Sequence, residues 1–185
     1  MILGRRFLID LEKRKFCIEF LTAEVKRSYA MGSKVIVLHP GNALGLSVSE
    51  AIDNICNVVN QIIENTKDTD VCIAFETMSG KGTEVGRNFD EVRMLLDGII
   101  DKSRVGVCID TCHMHDSGYD LVNDYDNVKK LLDEKKDEKI EMAIDERLEP
   151  IVAEIEELRK YIRDVGQVEK HHMDLIISSY RFRLV

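Results

Sequence analysis

The sequence predicts an α/β fold in which parallel strands alternate with helices. Three observations predict it. Lys34-Val35-Ile36-Val37-Leu38, Val71-Cys72-Ile73-Ala74-Phe75 and Val105-Gly106-Val107-Cys108-Ile109 are short, apolar and rich in β-branched residues. Their near-continuous hydrophobicity suits parallel strands covered on both faces. Segments with helical spacing separate them, and strand–helix–strand order implies a parallel sheet with right-handed crossovers.

Each element has its own justification. Leu11 to Ala30 is an amphipathic helix ahead of the first strand. Leu46 to Glu64 places Val48, Ile52, Ile55, Val59, Ile62 and Ile63 on one helical face, and Ser47 with Glu50 offers a capping box. Asn88 is the next N-cap, with Asp90 and Glu91 in the first turn and Val92, Leu95, Leu96, Ile99 and Ile100 as the apolar stripe. The texture changes near Asp126. From Lys129-Lys130 and Glu134-Lys135-Lys136-Asp137-Glu138-Lys139 onward the chain is dense in charge and poor in glycine, as exposed helix is. The expected division is a βα domain over residues 1–126 and a charged helical tail over residues 127–185. In the tail, Leu148, Ile151, Ile155, Leu158, Ile162 and Val165 make a heptad-like seam. It is too short for a sustained coiled coil, so a single surface helix is the favoured reading, with Pro150 at its start or at a kink.

Composition bounds the function. With 185 residues, 44% hydrophobic and 32% charged, the chain can bury one core. Only two prolines and eleven glycines argue against a disordered or collagen-like chain. No apolar run reaches the ~18 residues of a membrane span, and Met1 to Phe7 is too briefly apolar for a secretory signal. Five scattered cysteines fit reduced thiols and a cytoplasmic protein. A net charge of −8 excludes coating DNA by bulk electrostatics but leaves room for a local metal site.

The chemistry is expected where the strands end. The first run is followed by His39, the second by Glu76, and the third by Asp110 with His113 three residues on. Successive ligand-type residues stand about one βα unit of ~30 residues apart. Parallel strands bring their carboxyl ends to one rim, so His39, Glu76, Asp110 and His113 should converge there. Singly, each has an ordinary reading as a loop hydrogen-bonder or an N-cap. Together, two imidazoles and two carboxylates suit Zn²⁺ or another borderline transition metal, which would lower the pKa of bound water towards ~7. His115 reads as a rim hydrogen-bonder and Cys108 as a strand-interior thiol. Gly80-Lys81-Gly82-Thr83 lacks the spacing of a phosphate loop.

At these residues the sequence resembles the endonuclease IV family, the zinc-dependent apurinic/apyrimidinic endonucleases. The tokens are Val37-Leu38-His39-Pro40-Gly41, Phe75-Glu76-Thr77-Met78-Ser79-Gly80-Lys81-Gly82, and Arg104 to His113 running into Ser117-Gly118-Tyr119-Asp120-Leu121. The resemblance covers roughly residues 8 to 125 and implies a TIM barrel, here a partial one of about three βα units with a C-terminal helical extension. It implies hydrolysis of the phosphodiester 5′ to an abasic site in double-stranded DNA. His39 would hold one zinc, Glu76 would bridge two and orient the attacking hydroxide, Asp110 would bind the second and His113 the third. About half of the family's ligands have no counterpart, so fewer zincs than the family's three are expected, and an inactive truncated form is one reading. No residue is singled out for contact with DNA. Open sheet edges suggest self-association. Two rivals stand beside the nuclease: a metal-dependent sugar isomerase or epimerase of the same barrel type, and a non-catalytic oligomerising or binding protein acting through its tail.

Overall fold

A computed structural model describes residues 11–121 and 123–135. Helix α1 (Leu11–Ala30) leads into strand β1 (Val35–Leu38), helix α2 (Val48–Asn65) and strand β2 (Cys72–Glu76). Helix α3 (Phe89–Asp97) and a 3₁₀ turn (Lys102–Arg104) precede strand β3 (Val105–Cys108), and helices α4 (Thr111–Asp116) and α5 (Tyr125–Lys135) follow. The strands form one parallel sheet in the order β1-β2-β3. Among the described residues, no helix is long and apolar enough to cross a membrane.

The register sorts the strand residues into two faces. Ile36, Ile73 and Val105 lie side by side, as do Leu38, Phe75 and Val107, and both rows pack into the core with α1, α2 and α3. The alternate residues Val35, Val37, Cys72, Ala74, Gly106 and Cys108 belong to the opposite face, because successive strand side chains alternate. Continuing that alternation past the strand ends puts His39, Glu76 and Asp110 on this second face.

Local chemistry explains the helix ends. Ser47 and Glu50 close the capping box of α2: the Ser47 hydroxyl accepts from the Glu50 amide at 3.2 Å, and Glu50 Oε2 accepts from the Ser47 amide at 2.9 Å. Asn88 Oδ1 accepts from the Glu91 amide at 2.9 Å and starts α3. The apolar stripe runs to Ile100, but the helix stops at Asp97. Lys102 Nζ takes the carbonyls of Leu96 and Asp97, and Asn60 of α2 clamps the exit, donating to Gly98 O at 3.0 Å and accepting from the Ile100 amide at 2.9 Å. Ile99 is therefore buried while Ile100 is 85% exposed. Arg104, also buried, donates to Val71 O, Thr66 O and two threonine hydroxyls, fixing the start of β3 to the turn between α2 and β2.

Close packing of α2 against the end of α3 makes one position sensitive. A Cβ at Gly98 would overlap Cys56 Sγ and lie 2.9 Å from Cys56 Cβ. Gly98→Ala is expected to cost about 1–3 kcal/mol in denaturant unfolding, as overpacking does. The double replacement with Cys56→Ala, which removes Sγ but keeps Cβ, should recover part of the loss; an undiminished deficit in the double variant would contradict the steric account.

On α1, Cys17, Leu21 and Val25 are buried, whereas Phe16 and Phe20 remain 60% and 41% exposed with stacked rings. A second apolar cluster of Phe89, Ile109, Met114, Leu121 and Val128 joins α3, α4 and α5. The expected division after residue 126 falls inside α5, whose Val128 belongs to that cluster. The heptad-like seam and Pro150 lie outside the described residues.

Candidate metal centre

The three strand ends are level. Glu76 is the last residue of β2 and pairs in register with Cys108, the last of β3; His39 directly follows Leu38, the last of β1. Asp110 lies two residues beyond Cys108 and caps α4, its Oδ1 accepting from the amides of Cys112 at 2.9 Å and His113 at 3.1 Å. That cap starts the single turn and a half of helix that carries His113.

The side chains meet at the rim. Glu76 Oε2 lies 2.7 Å from His39 Nε2, and Glu76 Oε1 lies 3.7 Å from His113 Nδ1. Asp110 Oδ2 is 4.0 Å from the same His113 nitrogen. Glu76, Asp110 and His113 each offer a ligand atom, and these atoms lie within 4.8 Å of one another. The rings of His39 and His113 approach edge to face, with centroids 5.8 Å apart. Glu76 and Asp110 are buried, at 6% and 2% exposure, whereas both histidines keep a partly exposed edge.

Electrostatics keeps Asp110 in ligating form. Burial works against ionising Asp110, but the His113 and Cys112 amides that donate to Oδ1, with the His113 ring beside it, outweigh it, holding the carboxyl below its ordinary value. His113 Nδ1 is 2.8 Å from the carbonyl oxygen of Thr77, an acceptor only, so this nitrogen carries a proton and Nε2 is the ring nitrogen left to face a metal. His39 Nδ1 is buried and makes no hydrogen bond. Two imidazoles beside two buried carboxylates are a donor set that Zn²⁺ accepts, so the residues present fit such an ion.

Other polar residues of the rim have structural roles. Glu84 Oε2 accepts from the Lys81 amide at 2.9 Å and from the Ser79 hydroxyl at 3.1 Å, closing the Gly80–Thr83 turn. That turn meets the loop after β1 through an isolated bridge between Asn42 and Glu84. Its glycines at 80 and 82 adopt φ of 77° and 66°, left-handed conformations that favour glycine. His115 is exposed and outside the cluster. Burial pushes the Cys17, Cys56 and Cys72 thiols up to about 11, which leaves them poor nucleophiles at neutral pH. Thr77, which escaped notice in the sequence, contacts both Asp110 and His113; its one local signal is its place beside the strand-end Glu76.

Comparison with known proteins places the chain in a family. The profile of the xylose isomerase-like TIM barrel matches residues 8–148. The chain belongs to that family. Its three parallel βα units are part of a TIM barrel, and its central part is of the endonuclease IV type. "Probable endonuclease 4" of Acholeplasma laidlawii is 52% identical over 125 residues, which is 68% of this chain and 42% of that protein. "Probable endonuclease 4" of Mycoplasma pneumoniae is 44% identical over 124 residues, covering 67% of this chain and 41% of that protein. This TIM-barrel chain thus spans about two fifths of the length of these curated relatives. Among solved structures, the crystal structure of endonuclease IV from Thermus thermophilus superposes with a TM-score of 0.56 at 22% identity, over 72% of this chain and 48% of that one. A D-tagatose 3-epimerase-like protein superposes with the same TM-score at 25% identity, over 66% of this chain and 45% of that one.

Proposed function

We propose that this chain is a zinc-dependent endonuclease that hydrolyses the phosphodiester 5′ to abasic sites in double-stranded DNA, acting in base-excision repair. One observation carries the proposal: the two oxygens of Glu76 face different imidazoles, His39 at 2.7 Å and His113 at 3.7 Å, with the Asp110 carboxylate in the same cluster. His39, Glu76, Asp110 and His113 would hold the metal. When bound, zinc supplies Lewis acidity at the phosphate and a nucleophile at neutral pH. Asp110, kept ionised by its amide contacts, supplies negative charge to the site. His113, its Nδ1 proton held by Thr77, presents Nε2. Glu76 is the catalytic residue: its carboxylate accepts a hydrogen bond from the attacking water and orients it. The names of the curated relatives support the same reading. The proposal also includes self-association through the outer edges of β1 and β3, which pair with no strand among the described residues.

The test is elemental analysis of the purified chain together with cleavage of a duplex containing one abasic site, with and without chelator. Zinc in the protein and chelator-sensitive incision 5′ to the lesion are expected. Zinc without incision would overturn the hydrolytic assignment while keeping the metal centre; a protein that takes up no zinc would overturn both. The D-tagatose 3-epimerase-like neighbour favours a second reading, a metal-dependent sugar isomerase or epimerase. Turnover of a ketose in place of abasic DNA would establish it.

A further inference from the structure

We infer that Thr77 is a positioning residue that sets the metal-binding geometry of both Asp110 and His113. The inference rests on the metal-centre reading above and deepens it. Thr77 directly follows Glu76, is 4% exposed, and directs three polar groups to the segment that leaves β3. Its amide donates to Cys108 O at 2.9 Å, continuing the β2–β3 ladder one residue past the strand. Its hydroxyl oxygen accepts from the Asp110 amide at 2.9 Å and lies 3.5 Å from Asp110 O. Its carbonyl accepts the His113 Nδ1 proton at 2.8 Å. One residue thus links the donor at the end of β2 to both donors beyond β3.

The physical consequence follows from what each bond constrains. The hydroxyl fixes the main chain at Asp110, which is also the residue whose Oδ1 starts α4. A shift there moves the Asp110 carboxylate and, through the cap, the whole helical turn bearing His113. The carbonyl selects the His113 tautomer and ring orientation, so Nε2 and not Nδ1 is available as a ligand. Outer hydrogen bonds of this kind hold a ligand's orientation and are commonly worth about 10–100-fold in metal affinity. Threonine suits the place because its hydroxyl can accept from an amide in a buried site.

The experiment compares the full-length parent with Thr77→Val and Thr77→Ser. Zinc affinity is read by chelator competition, thermal unfolding of the metal-free protein by calorimetry, and the His113 tautomer of the metal-free protein by ¹⁵N imidazole NMR. The parent is expected to show the Nδ1–H tautomer. Thr77→Val, nearly isosteric but without the hydroxyl acceptor, should bind zinc about 10–100-fold more weakly while keeping the Nδ1–H tautomer, because the carbonyl that holds that proton is main chain. Thr77→Ser, which keeps the hydroxyl, should restore the affinity. A role in packing alone would lower the unfolding temperature of Thr77→Val without moving its zinc affinity, and that result overturns the inference. An Nε2–H tautomer in the parent overturns it as well, and does so without any variant having to fold. A parent that binds no zinc fails at the metal centre itself, a distinguishable outcome that removes this inference with it.

Discussion

Glu76→Ala is expected to lose zinc, and with it any incision of abasic DNA, while Glu84→Ala keeps most of both. The two glutamates stand on either side of the same loop, but only one lies among the donors. Glu76 is 6% exposed and faces His39, His113 and the Asp110 cluster. Glu84 spends its carboxylate on the Lys81 amide and the Ser79 hydroxyl. Removing a ligand should weaken the metal by more than the about 10–100-fold that even an outer hydrogen-bond partner is worth. Glu84→Ala removes a turn contact and should cost stability of roughly 1 kcal/mol with little change in affinity. Chelator competition on the two variants reads the contrast. Equal zinc affinity in Glu76→Ala and the parent would show that the rim does not hold metal through Glu76. A comparable loss in Glu84→Ala would instead place the effect in the loop.

The second large effect is expected at the residue before it. Phe75 is fully buried on β2, the middle strand, between Leu38 on β1 and Val107 on β3. Phe75→Ala should destabilise the fold by about 3–5 kcal/mol, the transfer term plus a cavity term for a ring that three elements surround. Phe75→Leu, which keeps most of the volume, should cost less than about 1.5 kcal/mol. Ile100→Ala, at a position 85% exposed, should stay within about 0.5 kcal/mol. Denaturant unfolding of the three variants tests the ranking. A Phe75→Ala protein as stable as Ile100→Ala would mean that the helix-facing side of the sheet is not the core.

Much of this arrangement is local and therefore legible in the sequence. Strands β1, β2 and β3 announce themselves as β-branched runs because a strand buried on both faces must be apolar at nearly every position. The capping box at Ser47 and Glu50 is legible because its two partners are three residues apart and answer the same unpaired amides in any helix. His39 and Glu76 stand out as the first polar residues after an apolar run, and strand alternation assigns them a common face with Asp110. What the sequence could not supply lies in contacts between distant residues. The end of α3 is set by Asn60, 38 residues from Gly98 and 40 from Ile100, so the apolar stripe overran it. The choice of His113 nitrogen is set by Thr77, 36 residues away, and the placement of Asp110 by the same threonine at 33. Periodicity reports which face of a helix or strand is dry; it carries no information on which distant carbonyl or hydroxyl will meet a given donor. By itself the sequence determined the element order and the kinds of polar side chain at the strand ends. Only the tertiary structure decided their distances, tautomer and hydrogen-bond partners, because those depend on how β2 and β3 align side by side.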